Sequence, residues 1–377
     1  MAASELLKQA ADRIEVWFSH AWPLWIDRGL DPKGLFYEQL DFSGQPDEIV
    51  SRRMRVQGRQ LYTFSRAVEA GHAAALPRLR HALASIETYG WGIDAQPGWI
   101  HLLGPDGSPQ DTLRDTYDQA FLLFGLHGAA RAGLPNARQL ADHTLAFIDT
   151  SLTEPSDGSV REGVPASLPR RSNPHMHLLE ALLAWFELTG EQQFLDRANR
   201  IADVFAASLF DRASGILGEF FTAGFQLAPP PMGEIVEPGH HFEWSWLLYR
   251  LAGFDGRDLI EEAGALHRWG LAHGLGSEGY AVDECDRSGH QTRPSRRIWP
   301  QTELIKSCLV NGQHDAAARL SLAVLDTYFA TGTQGLWIDQ FDQAGRQTSD
   351  VVPASTFYHI VVAFEEVLRY ARSAHPA

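Results

Sequence analysis

Cysteine is nearly absent from the 377 residues: Cys285 and Cys308 are the only two. Two cysteines make no disulfide framework, and neither stands in a CxxC pair or a zinc-ligand spacing. Long hydrophobic runs are missing as well, since none approaches the roughly 20 apolar residues of a membrane span. The opening MAASELLKQAADRIEVWFSH scatters charges through its apolar positions, so it reads as an amphipathic helix and not as a signal peptide. Positive charge is short, with 32 Lys and Arg against 47 Asp and Glu, a net charge of −15. No basic stripe is available for nucleic acid, and no polybasic segment for a membrane surface. Neither a GxxxxGK[ST] loop nor a GxGxxG turn is present, which leaves nucleotide dependence without support. These absences point to a reducing, cytoplasmic setting and to a small neutral or polar molecule as the partner.

What is present is a core-forming composition, 44% apolar with 11 Trp and 20 Phe. Most of those aromatic rings are expected to fill a large core. The dominant pattern is an internal repeat. Six segments share a polar start and an apolar body, roughly sixty residues apart, beginning at Arg52, Arg114, Pro174, His240, Pro300 and Ser355. Five are expected to stop at a helix-terminating glycine: Gly71, Gly133, Gly190, Gly253 and Gly312. A second, more charged helical segment follows each of these five (73–90, 135–151, 191–209, 257–273 and 313–330), and 4–20 supplies a sixth. Mostly apolar first helices and amphipathic second helices describe an inner and an outer ring. The connecting stretches from Gly34, Gly98, Gly279 and Gly335 alternate briefly and then turn at a glycine, a hairpin signature. The expected fold is all-α, an (α/α)6 barrel with short β-hairpins at one mouth, spanning 1–377 as one domain. Two separate helical domains are the alternative.

Parallel inner helices gather their N-termini at that mouth, and each offers a polar or aromatic group there. These are Arg55, Tyr117, His177, His240 with Glu243, Trp299 with Glu303, and His359. Asn173 before Pro174 reads as an N-cap, and Ser355 as the cap of the last helix. His240 and Glu243 share a helix face, whereas His175 and His177 cannot both face the lumen. Helix N-termini disfavour imidazolium, so the histidines are expected neutral and able to accept a proton. The same dipole ends, with Arg55, would stabilise developing negative charge. His127 and His143 read as structural. His177, His240, Glu243 and His359 could converge on an ion, but no HExxH or other compact ligand set is present, so no metal and no cofactor is expected.

The motifs RVQGRQLY around Arg55, YDQAF at Tyr117, NPHMH at Asn173–His177, GHHFEW at Gly239–Trp244, WPQTE at Trp299–Glu303 and STFYH ending at His359 occur in that order. In this order they resemble the N-acylglucosamine 2-epimerase superfamily, which includes mannose-type aldose–ketose isomerases and cellobiose 2-epimerases. The resemblance covers nearly the whole chain. It implies deprotonation and reprotonation of an open-chain sugar without metal or nucleotide. It further implies that His240 and His359 are the acid–base pair and that Arg55 holds oxygens near the reacting carbon. Asn173, His177, Glu243 and Glu303 would position hydroxyls or support the histidines, and Trp299 would stack on the sugar.

The chemistry is coherent with those residue types. Ring opening makes the C2 proton of an aldose acidic, and a base removes it to give an enediolate. A proton returned to C1 gives the ketose; returned to the other face of C2, it gives the epimer. Short excursions favour a free monosaccharide and the mannose/fructose isomerisation. Epimerisation of a free, acylated-amino or disaccharide sugar is the alternative, and Arg170 and Arg171 could engage a sugar phosphate. A glycoside hydrolase using Asp118, Glu243 or Glu303 would leave the histidines idle, and a non-catalytic sugar-binding protein is a further possibility. A monomer or homodimer with a small sugar as its only partner is expected.

Overall fold

A computed structural model describes residues 3–374. Among them are twelve α-helices, in chain order α1 (Ala3–Arg28), α2 (Met54–Glu69), α3 (Ala75–Gly90), α4 (Thr116–Arg131), α5 (Ala137–Phe147) and α6 (Asn173–Thr189). They continue as α7 (Gln192–Val204), α8 (Pro238–Asp255), α9 (Ile260–His273), α10 (Ile298–Val310), α11 (His314–Tyr328) and α12 (Ala354–Ala374). The even-numbered helices form a closed ring in which each packs on the next and α12 returns to α2. Each odd-numbered helix from α3 to α11 backs the inner helix before it, and α1 covers α12 and α11. This is the (α/α)6 barrel expected from the repeat. No described helix is long and apolar enough to cross a membrane.

Composition decides which ring a helix joins. Inner α4, α6, α8 and α10 are buried on nearly every face, whereas α7 buries only Phe194, Leu195, Ala198, Ile201, Ala202 and Val204. That apolar stripe at helical spacing suits a solvent-facing outer helix. Aromatic rings seal the layers: Trp25 stacks on Trp337 at 5.2 Å, and Phe357 of α12 packs on both. Most tryptophans are therefore core residues, as composition suggests.

Two helix boundaries depart from the sequence pattern. Gly71, Gly133, Gly190 and Gly312 end helical segments with positive φ, but Gly253 lies inside α8, which continues to Asp255 and stops at left-handed Gly256. Helix α1 runs on past residue 20 to Arg28. A closer constraint governs the crossing of α2 with α4. A Cβ on Gly58 would stand 2.3 Å from the Phe121 carbonyl oxygen, and one on Gly125 2.3 Å from that of Gly58. The two helices touch backbone to backbone.

The excursions between helix pairs collect at the mouth as two- and three-residue strands. β1 (Gln39–Leu40) pairs with β16 (Val352–Pro353), so the first excursion is joined to the last. One polar residue per excursion reaches neighbouring inner helices. The carbonyl groups of Glu38, His101, Glu162, Glu219 and Asp339 accept from the backbone N–H of Ala354, Met54, Thr116, Ser172 and Ile298, at the starts of α12, α2, α4, α6 and α10. Side chains then bind the following inner helix or its lead-in: Glu38 to Arg53, His101 to Asp118, Glu162 to Arg171, Glu219 to His240, and Asp339 to Thr356. Within the helices, Gln57, Gln119 and Gln301 each clamp the N–H and carbonyl of one strand residue: Phe36, Trp99 and Ala281. His175 and His241 do similar work through Nε2, accepting from Val160 at 3.0 Å and Leu217 at 3.2 Å.

Gly58→Ala is expected to cost about 1–3 kcal/mol of stability through the backbone clash. Gly253→Ala, at an exposed position near the C-terminal end of α8 with open space around it, should be stabilising by up to about 1 kcal/mol. Guanidinium unfolding of both variants measures this; equal stabilities would contradict the assignment.

Candidate active site

At the mouth formed by the inner-helix N-termini lies a cavity of about 410 Å³. Its walls include Tyr117, Asn173, His177, His240, Glu243, Trp299 and His359, so seven of the expected residues meet in one space. Glu303 stands directly behind, with His359 Nδ1 2.9 Å from its Oε1. A second cavity of about 460 Å³ opens at the opposite end of the ring. Four of its five arginines, Arg66, Arg131, Arg250 and Arg369, are paired with glutamates there, and none of the expected site residues lines it.

Arg55 is the exception among the expected residues. Its backbone N–H and guanidinium both go to Asp118, and it does not line the cavity. Three arginines do: Arg53 and Arg297, each paired with a carboxylate, and Arg59, one turn beyond Arg55 along α2. Arg59, Phe121, Glu243, Glu303 and His359 are each the sixth residue of their helix, so they share one level of the lumen. Nη1 of Arg59 donates to the Ser355 carbonyl at 2.9 Å and Nη2 to the Tyr117 hydroxyl at 2.7 Å. Its guanidinium lies 4.1 Å from the Phe121 ring centroid. Among the described residues no carboxylate pairs with it, so this buried cation can serve negative charge on a ligand. Asn173 is not a cap either: it opens α6, and its amide lies 3.3 Å from His240 Nε2. Ser355 sits within α12, which begins at Ala354.

The two mouth histidines differ in protonation. Both rings flank Trp299, with centroids 5.2 Å away for His240 and 5.6 Å for His359. Burial alone would lower the pKa of His240, but Glu219, 2.9 Å from Nδ1, and Glu237 raise it to about 10. It is an imidazolium at neutral pH, against the expectation of neutral rings from the helix dipole. The Asn173 amide nitrogen faces Nε2, and since both nitrogens of a charged ring donate, such a ring calls for the amide turned over, with its otherwise unpartnered oxygen accepting from Nε2. His359 does meet that expectation: burial, with Arg59 and Lys306 nearby, holds it well below the ordinary histidine value. His177 is pushed down to about 4 by burial, against the pull of Glu180, 3.1 Å from its Nδ1. Two imidazoles with pKa values driven apart thus face one cavity, one able to donate a proton and the other to accept one.

Carboxylates complete the setting. Glu243 has no hydrogen-bond partner for either oxygen. Burial and the nearby Glu303 raise its pKa well above the usual range, so it is a neutral acid that can donate to a hydroxyl. Glu243, Glu303 and His359 lie close enough to share an ion, as do His177, Glu180 and Glu243. Glu303, however, is already divided between His359 and the Lys306 ammonium, 2.6 Å from Oε2. Glu180 is held by His177 and the Tyr358 hydroxyl. These donor sets are committed within the protein. Asp118 is bound by His101 and Arg55 and lies outside the cavity, which removes one arm of a two-carboxylate hydrolytic site. Arg170 is buried on Ser159 and Val160, and Arg171 is tied to Glu162 and Asp115, so neither reaches the cavity.

Sequence reasoning missed Arg59, Glu219, Glu180 and Lys306. Arg59 was findable from the shared helical level. Glu219 occupies the place in its excursion that Glu38 and Asp339 hold in theirs, though the hairpin around it follows a different pattern.

His240 should remain protonated through the neutral range, and ¹⁵N-histidine NMR reads this directly; a neutral ring at pH 7 would refute the charge assignment. Its folded pKa lies above the unfolded value of about 6.5. The stabilisation it brings is therefore complete below pH 6.5 and lost as pH rises through about 10.

Residues 34–363 match the family model for N-acylglucosamine 2-epimerase. The chain is 33% identical over 366 residues to the mannose-6-phosphate isomerase of Rhizobium meliloti (strain 1021), covering 92% of this chain and 93% of that one. It is 22% identical over 391 residues to a cellobiose 2-epimerase of Ruminococcus albus, covering 98% and 94%. A crystal structure of D-mannose isomerase superposes with a TM-score of 0.86 at 20% identity, covering 95% of this chain and 98% of that one. With a closed ring of six helix pairs and two buried histidines facing one cavity at its mouth, the chain belongs to the N-acylglucosamine 2-epimerase family, as an aldose–ketose isomerase or sugar 2-epimerase.

Proposed function

We propose that the protein isomerises a free aldose and its ketose, mannose and fructose or a close analogue, by proton transfer between carbons 1 and 2. The observation that carries this reading is the placement of two imidazoles against one cavity, each held by a buried carboxylate, of which only the one behind His359 has a lysine counter-ion. Neutral His359, its Nδ1 engaged by Glu303 at 2.9 Å, presents Nε2 as the base that takes the C2 proton. Arg59, free of any carboxylate, supports the enediolate oxygens. His240, charged by Glu219, donates to the carbonyl oxygen as the C1=O bond becomes C–O–H, and takes a proton back from the neighbouring hydroxyl as the new carbonyl forms. His359 then returns its proton to C1. The cycle is proton-neutral and calls for no cofactor. Trp299, between the two rings, offers a flat face to the sugar.

A 2-epimerase could use the same pair on opposite faces of C2. Isomerisation is favoured by the closer relatives, since two isomerases at 33% and 30% identity exceed the cellobiose 2-epimerase at 22%. A free sugar is favoured over its phosphate because the lining arginines Arg53 and Arg297 are neutralised by Glu38 and Asp283, and Arg170 and Arg171 lie elsewhere. Two buried free thiols accord with the cytoplasm.

Incubation in deuterated water with mannose, glucose, fructose, cellobiose, N-acetylmannosamine and mannose 6-phosphate, followed by NMR, tests the proposal. Mannose should yield fructose with deuterium at C1, unaffected by EDTA; deuterium only at C2 with an epimeric product would replace isomerisation by epimerisation. His240→Ala and His359→Ala should each abolish turnover while the fold is kept. Arg59→Ala should lower kcat about 10²- to 10³-fold, whereas Arg55→Ala should retain most activity. The reverse order would restore Arg55 to the site.

A further inference from the structure

Only three lysines occur in the chain, Lys8, Lys33 and Lys306, against 29 arginines. Lys306 lies at the centre of the ring with no exposed surface. Its Nζ stands 2.6 Å from Glu303 Oε2 and 3.8 Å from the centroid of the Trp246 ring. The other oxygen of the same carboxylate faces His359 Nδ1 at 2.9 Å. Lys306, Glu303 and His359 thus form a continuous line from the middle of the barrel to the cavity wall. We infer that Lys306 is a positioning residue for the isomerase reaction: its ammonium keeps Glu303 ionised, and ionised Glu303 keeps the His359 proton on Nδ1, leaving Nε2 free as the base.

The argument rests on what each neighbour can donate. An ionised carboxylate only accepts, so an imidazole nitrogen facing it must carry the hydrogen. A protonated carboxyl can donate instead, and the facing nitrogen then takes the acceptor role. The remaining proton of a neutral ring would move to Nε2, where it blocks abstraction of a carbon-bound proton. Which state prevails depends on the charges around Glu303. Helix α6 contributes Glu180 and His177, α8 contributes Glu243 and His240, α12 contributes Tyr358 and His359, and α2 contributes Arg59. Three carboxyl groups in a dry interior favour proton uptake, and burial brings Glu303 up to about 7 even with Lys306 beside it. Lys306 is the one cation in direct contact with that carboxylate. Being compact, it fits between the Trp246 face and Glu303, where a planar guanidinium would need more room.

This inference rests on the proposed base role of His359, and two measurements separate them. The tautomer of His359, read by ¹⁵N NMR of histidine-labelled wild-type protein and assigned with His359→Asn, should be the Nδ1–H form at pH 7.5. A wild-type Nε2–H tautomer overturns the proposal without any variant. In Lys306→Met the proton should move to Nε2 at neutral pH. The acidic limb of kcat/KM should rise by about one pH unit or more, with activity recovering at higher pH and KM little changed. Lys306→Arg should hold the wild-type tautomer if it is accommodated. A Lys306→Met protein that keeps the Nδ1–H tautomer, or loses activity by the same factor at every pH, overturns the inference. A tautomer change without turnover of any sugar by the wild type would leave Lys306 in this role and remove the isomerase reading instead.

Discussion

In five of the six excursions one polar residue ties the starts of two neighbouring inner helices together, and the geometry of the mouth follows from that stitch. Each of the five offers its backbone carbonyl to one helix and its side chain to the next. The bonds are short-range and directional, so they set both the height and the rotation of each helix at its N-terminus. Hydrophobic packing between inner helices cannot do this by itself, because it tolerates sliding along the axis. With the N-termini fixed, the sixth residue of each helix falls at a common depth, and chemistry can be assembled there from segments distant in the chain.

The stitch at Glu219 also shows how a structural device becomes electrostatic. Its equivalents Glu38 and Glu162 meet arginines, giving pairs that are neutral as a unit. Glu219 meets His240 instead, and the partner's charge becomes conditional on the carboxylate. Across the cavity, Glu303 has its own counter-ion in Lys306, so it holds His359 without charging it. Two histidines with one carboxylate neighbour each thus end in opposite states, according to whether that carboxylate is already matched.

The architecture was legible because a roughly sixty-residue repeat with apolar and amphipathic members leaves few alternatives to a double ring. Site membership was legible where a residue lies in the first turn and a histidine or tryptophan marks it: Tyr117, His177, His240, Trp299 and His359 all meet. Arg55 misled because it opens toward Asp118, while Arg59 lies one turn further along the same helix; only the level shared by Glu243, Glu303 and His359 separates the two. Asn173 resembles a cap in sequence, yet its amide serves His240, since Ser172 already has helical backbone angles. The charge of His240 was not legible. A helix dipole can be read from a sequence, but a carboxylate arriving from a hairpin 21 residues away cannot.

The pairing of Gln39–Leu40 with Val352–Pro353 fastens the start of the ring to its finish. During synthesis, helices α2 to α10 can stack in order as they emerge, but the basin has no last wall until α12 arrives with His359. Nascent chains therefore carry an open seam of unpaired strand and bare apolar helix flank for most of translation. The newborn protein's window for misassociation closes only when that final helix docks, and the cavity is walled on every side from that moment.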